Sequence, residues 1–275
     1  MNDPSAEKAA RGLSARERAV LATFMRKGRV TIDGKEVAKE FELSRPLANK
    51  ILLRLEQKGW LQRGKRGVYV FVPLSSVSPE TMPEDPWTLA MELFSPCYIS
   101  GFSAAENWEL TEQVFNVVVV FTARPQRKTI QKLANITFRT HHIPESKIFG
   151  TKKVWRNNKA VLVADPHRTV IDVFDSPECG GGGRHSLDIA HAYWKSGKAD
   201  PDILLQYALR LSRGVVFKRL GFSAELWGSV HEDWIKKCIK HLSSGISKLD
   251  PSGPDKGRIL TRWKLRINLP LEEYE

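Results

Sequence analysis

Between Ser14 and Val72 three short amphipathic segments, each opened by its own capping residue, run directly into two β-prone stretches joined by a glycine-bounded turn. Few architectures other than a small three-helix unit backed by a hairpin accommodate that order. Ser14-Ala-Arg-Glu17 reads as a capping box ahead of Ala19, Val20, Leu21 and Phe24, and Gly28 marks the end of the helix. Thr31-Ile32 suits a short strand, after which Asp33 caps a second helix with Glu36 reaching back and Val37, Ala38 and Phe41 facing inward. Glu42-Leu43 make the turn. Ser44 caps a third helix in which Leu47, Ile51, Leu52 and Leu55 recur at three-to-four spacing and are expected to pack inward, with Gly59 closing it. Trp60–Arg63 and Val68–Val72 then predict two strands around Gly64-Lys-Arg-Gly67. The hairpin is a wing, and the whole reads as a winged helix-turn-helix.

The third helix has the division of labour that a DNA recognition helix needs: an apolar face for its own domain and a polar one for the major groove. Arg45 and Arg54 can bond guanine edges, Asn49 can bond adenine, Lys50 can meet phosphate, and Ser44 stands where backbone N–H groups can hold a phosphate. Arg63, Lys65 and Arg66 add cations at the wing. Charge is distributed accordingly. Residues 1–72 hold 16 Lys and Arg against 8 Asp and Glu, while 73–275 hold 27 against 23, so +8 of the chain's +12 lies in its first quarter. A field of that sign concentrates phosphates.

At 275 residues the chain is long enough for two cores. The division expected is a flexible leader over 1–13, the winged module over 14–72, a Pro- and Ser-rich linker over 73–85, and a larger mixed α/β domain over 86–270. In that second domain the apolar run Phe115–Phe121 suits a buried central strand. Helical periodicity takes over past Asp165, with Asp200-Pro201 and Ser229-Val-His-Glu232 as helix starts. Ile259 to Leu269 alternates as one half-buried strand, placing Arg262, Lys264 and Arg266 along one face, which reads first as a solvated edge strand guarded by charge and, as the sharper alternative, as a second nucleic-acid contact. The fold class expected is α+β. Three widely spaced cysteines, with no signal peptide and no long apolar run, point to a cytoplasmic protein with no membrane contact.

Other constellations carry less. Asp165 and Asp172 could be paired metal carboxylates, but a helix cap at Asp165 followed by an Arg168–Asp172 ion pair explains them better. Gly180 to Gly183 lacks a phosphate-loop signature. His141 and His142 face opposite ways on a strand, and His185 and His191 are six apart, so neither pair suits a metal ion. The reading is therefore of a chain with no catalytic residues, no cofactor and no metal, and not an enzyme. The rival is a nucleic-acid enzyme in which the winged module delivers a nuclease-like domain to its target.

Several stretches together resemble the AbiEi-type antitoxin regulators of type IV toxin–antitoxin systems. They are Gly59-Trp-Leu, Gly67-Val-Tyr-Val-Phe-Val-Pro73, Tyr98-Ile-Ser-Gly-Phe-Ser-Ala-Ala105, Trp108-Glu-Leu-Thr-Glu-Gln113, Asp165-Pro-His-Arg-Thr-Val-Ile-Asp172 and Trp263-Lys-Leu-Arg-Ile-Asn-Leu-Pro270. The resemblance covers about residues 14–270. It implies an autorepressor that binds inverted repeats in double-stranded DNA before its own operon, with a second domain that counters a nucleotidyltransferase-like toxin. It also places the DNA face on Ser44, Arg45, Asn49, Lys50, Arg54, Lys65 and Arg66.

Overall fold

The structure, a computed structural model, describes residues 12–72, 85–228 and 230–271. Most of the expected leader and linker, and Ser229, lie outside the described residues. The fold is mixed α/β, a helical N-terminal region followed by an α/β domain. Two compact units divide it: residues 1–95 with 128–138 and 155–161, and residues 96–127 with 139–154 and 162–275.

In the first unit local chemistry sets the element ends. Helix α1 (Ala15–Arg26) begins at a complete capping box, the Ser14 hydroxyl accepting from the Glu17 N–H at 3.3 Å and the Glu17 carboxylate accepting from the Ser14 N–H at 2.8 Å. After β1 (Thr31–Asp33), α2 (Gly34–Glu40) repeats the device through Asp33 and Glu36. A turn with Glu42 at a left-handed φ of 50° leads to α3 (Arg45–Gln57), then β2 (Leu61–Arg63) and β3 (Val68–Phe71). The strands pair antiparallel in the order β1-β3-β2, with Ile32 opposite Tyr69 and Leu61 opposite Phe71. Val20, Phe24, Ile32, Val37, Ile51, Leu52, Leu55 and Leu61 form the core between the two layers.

The inward stripe of α3 is Ala48, Ile51, Leu52 and Leu55. Leu47, expected inside, is exposed, because a single residue turns a helix by about 100° and carries it off that stripe. Helix α4 (Pro86–Phe94), read from the sequence as the start of the second domain, belongs to this first unit. Its Glu92 carboxylate accepts from the Val30 and Thr31 N–H groups at 3.2 and 2.9 Å and from the Thr31 hydroxyl at 2.7 Å, satisfying the entry to β1, and it pairs with Lys159 at 2.9 Å.

The α/β domain is built from a sheet and a layer of helices. After β4 (Cys97–Ile99) and α5 (Gly101–Asn107) come β5 (Val117–Thr122), β6 (Ile130–Leu133), β7 (Ile136–His142), β8 (Thr151–Arg156) and β9 (Lys159–Ala164). Six strands pair in the order β6-β7-β5-β4-β9-β8. Ile99 stands antiparallel to Val120 and parallel to Val163, so β4 is central and the apolar β5 beside it is buried as its composition predicts. Helices α6 (Pro166–Asp175), α7 (Gly183–Lys195), α8 (Pro201–Leu211), α9 (Gly214–Trp227) and α10 (Glu232–Lys240) gather around a core that includes Val170, Phe174, Tyr193, Leu220 and Trp263.

Helix α6 is seated by a buried polar cluster. Asp165 caps it, accepting from the Arg168 N–H at 2.8 Å. The Arg168 Nε lies 2.8 Å from Asp172, both side chains almost wholly buried, at an angle outside hydrogen bonding, so the contact is chiefly one of charge. Arg168 donates to the Tyr98 hydroxyl at 2.8 Å, and Tyr98 and Ser100 donate to Asp172 at 3.0 and 2.6 Å. The guanidinium also lies 4.1 Å over the Phe149 ring. Burial pushes the Asp172 carboxyl up against the pull of Arg168, whereas burial would lower Arg168 and its partners, Asp172 foremost, outweigh that and raise it.

Ile259 to Leu269 is not one strand. It splits into β11 (Arg258–Leu260), a 3₁₀ turn (Thr261–Trp263) and β12 (Leu265–Ile267), with Lys264 at φ 49° reversing the chain. β12 pairs with β11 antiparallel and with β10 (Ser247–Lys248) in parallel. The break serves Trp263, whose ring is buried against Gly221 so closely that a Cβ there would overlap it.

These contacts set two stability outcomes. Asp172→Ala strands a buried guanidinium and should cost about 3–5 kcal/mol in urea denaturation; a loss below 1 kcal/mol would show that the pair does not seat α6. For Glu17, burial alone would raise the carboxyl, but Lys58 at 2.6 Å and the Ser14 bonds hold it below the usual glutamate value. Its stabilisation is thus present above the unfolded value and lost as pH falls through the lower folded one. Glu17→Gln should cost roughly 0.5–2 kcal/mol at neutral pH, the deficit closing below roughly pH 4.3; a deficit independent of pH would refute this.

Candidate nucleic-acid interface and candidate metal centre

Opposite its buried stripe, α3 presents Ser44, Arg45, Pro46, Leu47, Asn49, Lys50, Leu53 and Arg54 to solvent. Ser44 is in the N-cap conformation, φ −65° and ψ 146°, yet makes no side-chain bond to its own helix. Its hydroxyl and the first-turn N–H groups of Arg45 and Leu47 are what a phosphate would meet, Pro46 having none to offer. Arg45, Lys50 and Arg54 are exposed. Asn49 has a second occupation, because its Oδ1 sits so close to Gly34 that a Cβ there would overlap it. Its amide rests over the first residue of α2, and it helps set the approach of the two helices.

The hairpin turn closes through Gly64 N–H to the Val68 carbonyl at 3.0 Å and Val68 N–H to the Lys65 carbonyl at 2.9 Å, with Gly67 at φ 78°. Arg63 and Arg66 are exposed. Lys65 is not a freely projecting wing cation. Its ammonium donates to the Leu93 carbonyl at 3.1 Å and lies 3.9 Å over the Phe94 ring, occupying the carbonyl end of α4 where a positive charge is favoured. Neighbours in sequence do not reveal this, since Leu93 is 28 residues away.

The cationic ladder expected at the C-terminal strand is also absent as drawn. Arg262 is paired with Glu225 at 2.9 Å and Glu232 at 2.6 Å, Lys264 sits in the left-handed turn, and Arg266 is half-buried in β12. The three do not share one strand face. Asp165 and Asp172 likewise do not converge. Asp165 caps α6 and accepts from the Tyr207 hydroxyl at 2.8 Å, while Asp172 is enclosed with Arg168.

A different group of metal-ligand type comes together in the second unit. His141 from β7 meets Glu178 and Cys179, which lie on the 3₁₀ helix Pro177–Gly180 just past α6. Their donor atoms lie within 4.8 Å of one another, with His141 Nδ1 3.9 Å from the Glu178 carboxylate. The Ser176 hydroxyl is 3.3 Å from either ring nitrogen of His141, and the ring tilts over Phe121 at 4.7 Å. Glu178 is exposed, His141 half-buried and Cys179 buried. Burial pushes the Cys179 thiol well up from its ordinary value, with Arg139 acting the other way. In the sequence His141 stands out only beside His142, and Cys179 only as part of a glycine-rich loop. The convergence of three donors of metal-ligand type is inconsistent with the expectation of a non-enzymatic chain. The reading of the protein as a non-enzyme is withdrawn.

Among the described residues no helix is long and apolar enough to cross a membrane. No protein-family model matches the chain, and no curated protein matches it. Among solved structures, the crystal structure of the RV2827C protein from Mycobacterium tuberculosis is similar, with a TM-score of 0.60 at 13% identity over 96% of this chain and 94% of that one. At that identity the likeness is one of fold, and it extends over both units.

Proposed function

We propose that residues 14–72 act as a winged helix-turn-helix that binds operator DNA, and that the protein is an autorepressor of a toxin–antitoxin operon. In this reading the second domain counters a nucleotidyltransferase-like toxin, as the AbiEi resemblance implies. The observation that carries the DNA-binding part is the division of α3. Ala48, Ile51, Leu52 and Leu55 are buried, while Arg45, Lys50 and Arg54 are exposed beside a helix start whose Ser44 hydroxyl is not spent on capping. A helix of about 13 residues with that division fits a groove roughly 12 Å wide, its cations reaching base edges or phosphates. Exposed Leu47 and Leu53 supply apolar surface for thymine methyl groups. Arg63 and Arg66, close to glycines, extend the cationic surface to the hairpin, and Lys65 supports the hairpin from within the same unit.

The His141 cluster favours a second reading, in which the same DNA-binding unit delivers metal-dependent chemistry to nucleic acid. Chelator separates the two: cleavage of DNA that stops on metal removal supports the second, and DNA binding that persists without cleavage supports the first.

The deciding experiment is a salt-series gel shift on the DNA upstream of the protein's own gene. Wild type should bind specifically, with affinity falling steeply as salt rises. Arg45→Ala/Lys50→Ala/Arg54→Ala should lose sequence preference and flatten the logarithmic salt slope by up to about three, roughly one per phosphate contact. Lys65→Met should leave the slope unchanged. Equal binding by wild type and the triple variant, or binding indifferent to salt, would sink the assignment.

A further inference from the structure

We propose that His141, Glu178 and Cys179 form a three-ligand site for one zinc-class divalent ion, with the fourth position open to water on the Glu178 side. The inference is independent of the DNA-binding reading and rests on donor type, position and charge.

The donors are one imidazole nitrogen, one carboxylate oxygen and one sulfur. Sulfur and imidazole together select borderline-soft ions such as zinc over magnesium or calcium, which take oxygen. A tetrahedral zinc-class ion with bonds of roughly 2.0–2.3 Å holds its ligand atoms roughly 3.3–3.8 Å apart. The three donors here lie within 4.8 Å, so closing on an ion asks for a contraction of about 1 Å. Side-chain rotation at exposed Glu178 supplies most of it.

The other two donors are held by the fold. His141 projects from β7, and its ring lies 4.7 Å from Phe121 and 3.3 Å from the Ser176 hydroxyl. Ser176 is equally near both ring nitrogens, so with one of them on the ion a rotation of its hydroxyl would let it hydrogen-bond the other, the outer-shell contact that orients ligating histidines. Cys179 is fixed by its own N–H to the Ser176 carbonyl at 2.8 Å and by its carbonyl, which packs so tightly on Gly101 that a Cβ there would overlap it. The thiol is free of any disulfide.

Binding balances without a redox partner. A metal–sulfur bond forms as the S–H bond of Cys179 breaks and its proton passes to solvent, while His141 and Glu178 donate lone pairs. Thiolate and carboxylate then neutralise a divalent charge, which removes the cost of enclosing a lone cation in this half-buried place. Three protein ligands and a water are the pattern of a centre that polarises a substrate or activates water, rather than of a closed structural site.

The test uses untagged full-length protein stripped by chelator and titrated with Co²⁺ as the spectroscopic probe. Wild type should take up one equivalent, develop a thiolate-to-cobalt charge-transfer band in the near ultraviolet, and lose it when Zn²⁺ is added. Cys179→Ser should abolish the band, and His141→Ala should weaken Co²⁺ binding at least about tenfold. Glu178 is exposed, so Glu178→Gln leaves the fold intact and should also weaken binding at least about tenfold. No band in wild type, a band that persists in Cys179→Ser, or unchanged affinity in Glu178→Gln would each overturn the proposal. Operator binding by the same variants reports separately on the winged module.

Discussion

The second unit depends on placing one guanidinium and one carboxylate out of water together. Arg168 and Asp172 are almost completely buried, and either alone would cost several kcal/mol. The Tyr98 and Ser100 hydroxyls offset part of that cost, Tyr98 accepting from Arg168 and both donating to Asp172. Those two residues flank Ile99 on the central strand β4 and at its end, so α6 can dock in a single register. The segment after α6 inherits that register. Ser176 ends the helix, and Glu178 and Cys179 come next on the 3₁₀ turn, which brings them to His141 on β7. A polar contact in the core thereby positions a polar cluster nearer the surface.

In the first unit the same economy appears at smaller scale. Orphan backbone donors at the entry to β1 are satisfied by Glu92, and Lys65 meets a terminal carbonyl of α4. Helix Pro86–Phe94 thus supports the strand and the hairpin from outside the three-helix arrangement. The consequence falls on the proposed DNA face. One hairpin cation is committed to structure, and the cationic surface proposed for DNA narrows to Arg45, Lys50 and Arg54 on the helix and Arg63 and Arg66 on the hairpin.

Residues whose partners lie within one helical turn could be read directly. Ser14 with Glu17, Asp33 with Glu36, the Asp165 cap and the Arg168–Asp172 pair are all three or four positions apart, a spacing that the helix itself turns into contact. The apolar composition of Val117–Thr122 likewise announces a strand with neighbours on both sides. Where an expectation rested on period alone it was more fragile. Leu47 and Ala48 differ by one step of the helix, and only the packed core decides which of them faces in. Alternation from Ile259 to Leu269 suits a strand, but burying the Trp263 ring against Gly221 requires the chain to turn at Lys264.

The sequence by itself determined the local grammar: where helices start, which strand is buried, and which residues of the third helix are polar, because capping and periodicity act over a few residues of backbone. Only the tertiary structure decided which charges are left to a partner and which are consumed. Lys65 is tied to Leu93 and Arg262 to Glu225 and Glu232, while His141 is brought beside residues 37 and 38 positions further along the chain. Hydrogen bonds and ion pairs require atoms a few ångströms apart, and that proximity comes from how sheets and helices pack, which no spacing in a linear chain encodes.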